Sequence, residues 1–291
     1  MTAEEHSRLQ ASVRQRLLNV AQRDRVDFQL VLTRYALERF LYRLGRSPHR
    51  AVFLLKGAFL FHAWRNEVGR PTRDLDLLSK GTPDINRLVA VVTDIARTEV
   101  DDDGLDFPQD SIKGEAIRDV SLYSGIRIRL IGMIGRTRIP VQVDIGFGDA
   151  AALLAEELEY PTLLGQDAPR ILSYRPEYVV AEKLEAMVAL GDINTRLKDY
   201  YDLWRISRTM DMHRDDLIDA LRKTFQHRRV AIPEELPPGL ADGFADLARS
   251  RMWSAFIGRN GLDAGEVSFS DVVMELRNYC WPLIEAARRA G

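Results

Sequence analysis

The chain has 291 residues, enough for two domains at about 150 residues each. Hydrophobic residues make up 46% and charged residues 29% of the sequence, close to the averages for globular proteins, so collagen-like, coiled-coil and wholly disordered chains are excluded. The 41 Lys and Arg residues nearly balance the 43 Asp and Glu residues, which leaves a net charge of −2. Bulk charge therefore does not attract the molecule to nucleic acid or to a membrane, and any basic surface must be local.

Cysteine content and hydropathy indicate the compartment. The one cysteine, Cys280, cannot close an intrachain disulfide, and a lone thiol is a poor metal site. The N-terminal residues lack the pattern of a secretory signal, and no apolar run approaches the ~18 residues of a membrane span. We therefore predict a cytoplasmic protein in a reducing compartment.

The first half of the chain combines helical and strand-like patterns. Apolar stripes predict two helices within residues 7–44, separated by a polar turn at 23–25. Further on, the patterns predict a short helix at 59–64, a strand at 74–78, a helix that ends near residue 100 with Thr82 or Asp84 as its N-cap, and a β-hairpin of 126–130 with 141–145. These elements predict a mixed α/β domain over residues 1–150.

From about Ala150 onward the strand signals largely vanish. The spacing predicts helices at 150–159, 177–190, 195–209, 214–227, 240–257 and 270–289. Ser270, with Glu275 nearby, is expected to cap the last helix. The predicted fold class is α+β, with the N-terminal mixed sheet and its flanking helices followed by a helical domain over residues 151–291.

Three carboxylates occupy positions suited to chemistry. Side chains alternate along an extended chain, so Asp74 and Asp76 share one face of their strand, and Asp144 takes the corresponding face of another. If these strands are neighbours, the three carboxylates converge. Such oxygen ligands suit Mg²⁺, and two ions about 4 Å apart could activate an attacking oxygen and stabilise a leaving pyrophosphate. A Gly-containing turn, Lys56-Gly57-Ala58, precedes a predicted helix, a setting that favours phosphate binding.

These motifs resemble a known superfamily. The Lys56-Gly57-Ala58 turn, the strand of Arg73 to Leu78 with its two aspartates, and Val143-Asp144-Ile145 are similar to the signature of polymerase-beta-type nucleotidyltransferases. Two later segments, AEKLEA at 181–186 and RLKDYYDL at 196–203, narrow the resemblance to the AbiEii/AbiGii-type toxin nucleotidyltransferases, which include the MenT-type toxins. The N-terminal run at 34–42 is also typical, so the resemblance covers roughly residues 25–210.

The resemblance implies a fold, an activity and partners. It implies a nucleotidyltransferase-type sheet and a Mg²⁺-dependent toxin that moves NMP from an NTP to the 3′ end of tRNA, with a cognate antitoxin protein as partner. The implied metal ligands are Asp74, Asp76 and Asp144, and Asp144 would also assist as base. The implied nucleotide contacts are Lys56, Gly57, Ala58, Lys183, Lys198, Asp199 and Asp202, of which Lys183 would meet the triphosphate. Ala58 departs from the Gly or Ser that is usual in the turn.

Other interpretations of these residues remain open. Paired aspartates on a strand also occur in phosphatases of the haloacid dehalogenase type and in glycosyltransferases, although the polar lead-in at 69–73 does not suit the phosphatases. Asp74 and Asp76 could be solvated charges on an edge strand. Lys183 could be a solvated residue beside a glutamate, and Lys198 with Asp202 could form a helix-surface ion pair.

The acceptor and the regulation also leave alternatives. Basic residues cluster after the second late motif and could bind RNA phosphates; they are Arg205, Arg208, Arg214, Arg222, Lys223, His227, Arg228 and Arg229. Tyr200 and Tyr201 could stack bases, whereas Trp204 is expected in the core. The acceptor could instead be a protein or small-molecule hydroxyl, or the chain could be a catalytically silent binding module. Phosphorylation of Thr72 would add anionic charge beside the aspartates and hinder metal and nucleotide binding.

Overall fold

The computed structural model describes residues 2–65, 70–117, 125–148 and 155–290. The chain divides into two compact units, Met1–Tyr174 and Arg175–Gly291. The expected mixed α+β fold is confirmed: a mixed sheet lies in the first unit and helices make up most of the second. The division falls at residue 174 rather than at the expected 150, because two further strands after residue 150 pair into the sheet of the first unit.

The first unit contains a seven-stranded sheet among the described residues. Its strands are β1 (Phe53–Lys56), β2 (Asp74–Ser79), β3 (Lys113–Ile117), β4 (Gly125–Ile134), β5 (Thr137–Phe147), β6 (Ala155–Glu159) and β7 (Arg170–Tyr174). Their order across the sheet is β3-β4-β5-β2-β1-β7-β6. The pairs β2/β5 and β1/β7 are parallel and the other neighbours are antiparallel. The two aspartate strands, β2 and β5, are therefore adjacent at the centre of the sheet.

Helices cover the apolar face of this sheet. They are α1 (Ala3–Asp24), α2 (Phe28–Arg46), α3 (Phe61–Arg65) and α4 (Ile85–Arg97). Helix α2 packs on β5 and β7, and α1 packs on α2. Helix α1 begins with a capping box of Thr2 and Glu5, and of the two candidate caps for α4 it is the Asp84 side chain that accepts from the backbone N–H of Arg87. The central strands bury alternate residues completely, Leu75 and Val143 among them.

The second unit is built from helices in its described residues. They are α5 (Pro176–Leu190), α6 (Leu197–Thr209), α7 (Arg214–Arg228), α8 (Leu247–Asn260) and α9 (Phe269–Arg289). Helix α7 packs against α5 and α9, and α9 packs against α6. The last helix is capped by Ser268 with Asp271, so the expected cap of Ser270 with Glu275 was wrong by two positions. Helix α8 begins at residue 247 rather than 240, because short 3-10 turns precede it and Asp246 provides its cap.

Sequence patterns missed the outer strands of the sheet. The helix expected at 150–159 is wrong for residues 155–159, which form β6, while 149–154 lie outside the described residues. The segment Ala-Glu-Glu-Leu-Glu favours helix intrinsically, but it forms an edge strand because it pairs with β7. Strand β3 is mostly exposed and carries no apolar alternation. Within the described residues no helix is long and apolar enough to cross a membrane.

Candidate active site

A row of charged residues crosses one face of the sheet. Residues that pair directly on adjacent strands point to the same face. Following the register from β1 to β3, this row contains Lys56, Asp76, Asp144, Arg127 and Glu115. The two carboxylates at its centre are thus flanked by a cation on either side. We call this set the charged row.

The central carboxylates come together because of the sheet order. Asp74 and Asp76 flank the completely buried Leu75 and lie on the opposite face of β2 from it. The parallel pairing of β2 with β5 places Asp76 directly beside Asp144. All three side chains are half-buried rather than freely solvated. β2 is a central strand, so the alternative of solvated edge-strand charges does not describe it.

The Gly57 turn adjoins the same carboxylates. Gly57 follows Lys56 at the end of β1 with a φ of +72°, a conformation that L side chains rarely adopt. A Cβ atom at this position would clash with Oδ2 of Asp76. Glycine is therefore required at position 57, both for the positive φ and because a side chain would collide with Asp76. The turn leads into a short 3-10 helix, Gly57–Leu60, in which Ala58 is buried, and then into α3.

Thr72 is bonded to the first aspartate. Its hydroxyl donates to Oδ1 of Asp74 over 2.7 Å, and only 9% of the residue is exposed. The hydroxyl therefore orients the Asp74 carboxylate. A phosphate on this hydroxyl would lie beside Asp74, as the sequence hypothesis requires, but would have to disrupt that hydrogen bond.

Asp144 is held by an arginine that the sequence analysis did not identify. Nε and one terminal nitrogen of Arg127 donate to the two carboxylate oxygens of Asp144 over 2.8 and 2.7 Å. The Gln142 side chain adds a donor at 3.2 Å from Oδ2. Hydrogen bonding to Asp144 raises the pKa of Arg127 above its ordinary value. In the sequence, Arg127 was visible as one of the polar residues of the predicted hairpin, but its partner depended on the register of that hairpin, which the sequence analysis did not assign.

The donor set of this site fits a divalent cation by its chemistry. Asp74, Asp76 and Asp144 provide the hard oxygen ligands that Mg²⁺ prefers. In the part of the chain that the structure describes, however, no three acidic, His or Cys side chains are arranged to hold a metal as they stand. Both oxygens of Asp144 are instead engaged by Arg127.

A second cluster lies within the helical unit. Nζ of Lys183, on α5, donates to Asp199 and to Asp202, both on α6, over 2.8 Å each. Arg196 pairs with the other oxygen of Asp199 at 2.7 Å. Both aspartates are nearly inaccessible, with side chains 2% and 1% exposed. Burial alone would raise the pKa of Asp199, but Lys183 and Arg196 lower it below its ordinary value.

The structure thus resolves two alternatives for this motif. Lys183 is a largely buried ion-pair partner of two aspartates rather than a solvated lysine. Asp202 accepts from Lys183, whereas Lys198 is exposed to solvent. Lys183, Asp199 and Asp202 are therefore brought together, and Lys198 lies on the outer surface of the same helix.

The aromatic residues of α6 belong to the core. Tyr200 is completely buried and donates to the carbonyl of Gly239. Tyr201 is 7% exposed, and Trp204, 2% exposed, donates to Glu275. The prediction that Trp204 is a core residue is confirmed, and both tyrosines are too buried to stack on bases.

Only part of the basic segment forms an open surface. Arg208 is engaged with Glu275 and Arg228 with Glu185. Exposed basic side chains line α7 and its C-terminal end at Arg222, Lys223, His227 and Arg229. Lys223 also pairs with Asp219 one turn earlier. We call these four residues the α7 basic face.

Comparison with known proteins identifies related sequences. The model of a family described as "Nucleotidyl transferase AbiEii toxin, Type IV TA system" matches residues 39–275. Two solved structures from Helicobacter pylori are similar: JHP933, with 13% identity over 87% of this chain and 90% of that one, and a protein provisionally described as a nucleotidyltransferase, with 15% identity over 89% and 97%. Both have a TM-score of 0.47. No curated protein matches the sequence.

Proposed function

The chain belongs to the AbiEii family of nucleotidyltransferase toxins of type IV toxin–antitoxin systems, and from this premise we propose that it transfers NMP from an NTP to the 3′ end of tRNA. The family match confirms the resemblance of the motifs and makes the protein a nucleotidyltransferase. Modification of the tRNA 3′ end would block aminoacylation and hence translation. The observation that carries the catalytic part of this proposal is the register that sets Asp76 beside Asp144, next to the Gly57 turn.

We propose that Asp74, Asp76 and Asp144 together bind two Mg²⁺ ions. When bound, the metal would lower the pKa of the attacking hydroxyl and neutralise charge on the leaving pyrophosphate. The protein contributes the orientation of the ligands: Thr72 fixes Asp74 by its hydrogen bond, and Gly57 leaves the space that the Asp76 carboxylate fills. Asp144 is proposed to accept the proton of the attacking hydroxyl as well.

The nucleotide contacts are carried over from the family resemblance. Lys56, Gly57 and Ala58 are proposed to receive the phosphates, with the backbone N–H of Ala58 available although its methyl group is buried. Lys183 is proposed to bind the triphosphate, and Lys198, Asp199 and Asp202 to shape the pocket. In the structure the Lys183 ammonium donates to two aspartates, so a bound triphosphate would share this cation with them.

RNA is proposed as the acceptor because the α7 basic face is exposed. The three Arg and Lys side chains of this face can neutralise RNA phosphates without a basic protein overall. A small-molecule or protein hydroxyl would not need this surface. We further propose a cytoplasmic location, where tRNA is found, and a cognate antitoxin protein as partner.

A labelling experiment tests the proposal directly. The purified protein is incubated with Mg²⁺, total tRNA and each α-labelled NTP in turn, and the RNA is resolved on a denaturing gel. We expect label on tRNA with the wild type and none with Asp76→Ala. Asp101→Ala, which removes an exposed loop carboxylate, is the matched control and should label normally.

The outcomes separate the alternatives. Label on protein or on a small molecule would redirect the proposal to another acceptor in the same fold. Absence of label on every acceptor class, together with growth inhibition that survives Asp76→Ala, would refute catalysis in favour of a silent binding module.

A further inference from the structure

The third carboxylate of the candidate site is already occupied by a cation of the protein. Arg127 binds both oxygens of Asp144 in a fork of two hydrogen bonds. The pair is sheltered, with 29% of the Arg127 side chain and 14% of the Asp144 side chain exposed. Fork-like pairs of this kind are among the stronger hydrogen-bonded contacts in proteins.

A divalent cation and Arg127 compete for the Asp144 carboxylate. An oxygen that accepts from a guanidinium has fewer lone pairs for a metal, and the two cations repel each other at short range. No three described acidic, His or Cys side chains stand ready to hold a metal, which agrees with Asp144 being engaged elsewhere.

The charged row offers Arg127 a second acceptor. Glu115 on β3 is paired in register with Arg127, on the side away from Asp144, and it also raises the pKa of the guanidinium through its charge. Glu115 now pairs with Arg129 at 2.7 Å. A guanidinium that leaves Asp144 would therefore remain beside a carboxylate, which lowers the cost of its release.

We propose that Arg127 is a built-in competitor for the metal: it holds Asp144 until a divalent cation displaces it, so that metal binding to Asp144 is coupled to opening of the Arg127–Asp144 fork. This inference rests on the metal site of the proposed function. It makes Arg127 a positioning residue, which acts on the reaction through Asp144 and keeps the third carboxylate paired in the absence of metal.

Metal binding without nucleotide tests this coupling. Binding of Mn²⁺ to the full-length chain is measured from the loss of the free-ion signal in electron paramagnetic resonance. We expect Arg127→Gln to tighten Mn²⁺ binding about tenfold, because the competing charge-assisted pair is lost. Arg138→Gln removes an equal charge from an exposed position on the same face of β5 as Asp144 and leaves both the fork and the Glu115–Arg129 pair intact. It should change binding less than about threefold.

A double variant separates competition from general repulsion. In an Asp144→Asn background there is no carboxylate to compete for, so Arg127→Gln should have no more effect there than Arg138→Gln has in the wild type. Arg127→Lys retains the charge without the fork, should bind Mn²⁺ with intermediate affinity, and provides the measurement if Arg127→Gln does not fold. Thermal unfolding of each variant establishes which ones are folded.

Each result bears on the inference. Tighter binding by Arg127→Gln alone, or binding gained by Arg127→Gln where the wild type shows none, supports it. Weaker binding, or equal shifts with Arg127→Gln and Arg138→Gln, overturns it while the metal site stands. If neither the wild type nor any Arg127 variant binds Mn²⁺, the proposed metal site fails and the inference fails with it.

Discussion

Replacement of Lys183 by methionine should destabilise the protein as well as change its activity. The ammonium lies 2.8 Å from carboxylate oxygens of both Asp199 and Asp202. These side chains are 2% and 1% exposed, so water cannot replace the lost cation. Removal of one partner from a buried ion pair costs about 3–5 kcal/mol. Arg196 continues to neutralise Asp199, and we therefore expect a loss of about 3 kcal/mol in the free energy of unfolding.

The pH dependence provides a second signature of the same change. In the wild type the folded pKa of Asp199 is lowered, so this carboxyl stabilises the fold above its unfolded pKa, and the contribution is lost as the pH falls through the folded pKa. Without Lys183 we expect burial to dominate and to raise the folded pKa. The sign then reverses, and the stability deficit of Lys183→Met should be largest near neutral pH and should shrink towards about pH 4.

Urea unfolding at pH 7 and pH 4.5 measures both effects. Lys198→Met is the matched control, because it removes an exposed lysine from the adjacent helix and should cost no more than about 0.5 kcal/mol. A Lys183→Met protein whose unfolding free energy at pH 7 lies within about 1 kcal/mol of the wild type would contradict the structural argument. If that stable variant nevertheless failed to label tRNA, Lys183 would act by contacting the nucleotide and not by stabilising the fold.

Three further predictions concern the turn, a buried glutamate and the basic face. Gly57→Ala should abolish nucleotidyl transfer and cost more than about 1 kcal/mol in urea unfolding, since its Cβ would displace the Asp76 carboxylate and its φ is +72°; retained activity would contradict this. Burial raises the pKa of Glu38 to about 7, so the contribution of this residue to stability should fall as the pH rises between about 4.5 and 7, and Glu38→Gln should remove that contribution from the slope in unfolding measurements. Arg222→Gln with Arg229→Gln should weaken tRNA binding and reduce its salt slope by up to about 2; an unchanged slope in filter-binding titrations would exclude the α7 basic face.

Local patterns were sufficient for much of the first unit. Alternation of Leu75, Leu77, Val143 and Ile145 with polar residues was enough to predict β2 and β5 and to place the three aspartates on their polar faces, because the side-chain period of a strand is fixed by its backbone. Long apolar stripes likewise predicted α1, α2, α6 and α9 to within a few residues. The family motifs depended on residue identity and spacing alone, and the match over residues 39–275 confirms the family that they indicated.

Edge strands could not be predicted in this way. β6 consists mostly of good helix formers and β3 is mostly exposed, so neither carries an apolar period. They are strands because the next strand along the chain, β4 for β3 and β7 for β6, offers hydrogen bonds. That next strand is itself held in the sheet by its other neighbour, β5 or β1. The two units divide after residue 174 rather than after the expected 150, because β6 and β7 pair into the sheet of the first unit.

Identification of the candidate site required both the sequence and the tertiary structure. The sequence by itself determined which carboxylates are available and that each lies opposite a buried residue on its own strand. Only the tertiary structure decided their partners. The parallel register places Asp144 beside Asp76, the register of the predicted β4/β5 hairpin pairs Asp144 with Arg127, and the packing of α5 on α6 pairs Lys183 with Asp199 and Asp202. The physical reason is that a side chain's direction follows from local backbone geometry, whereas its ionic partner comes from another element, whose position is fixed by the packing of the whole unit.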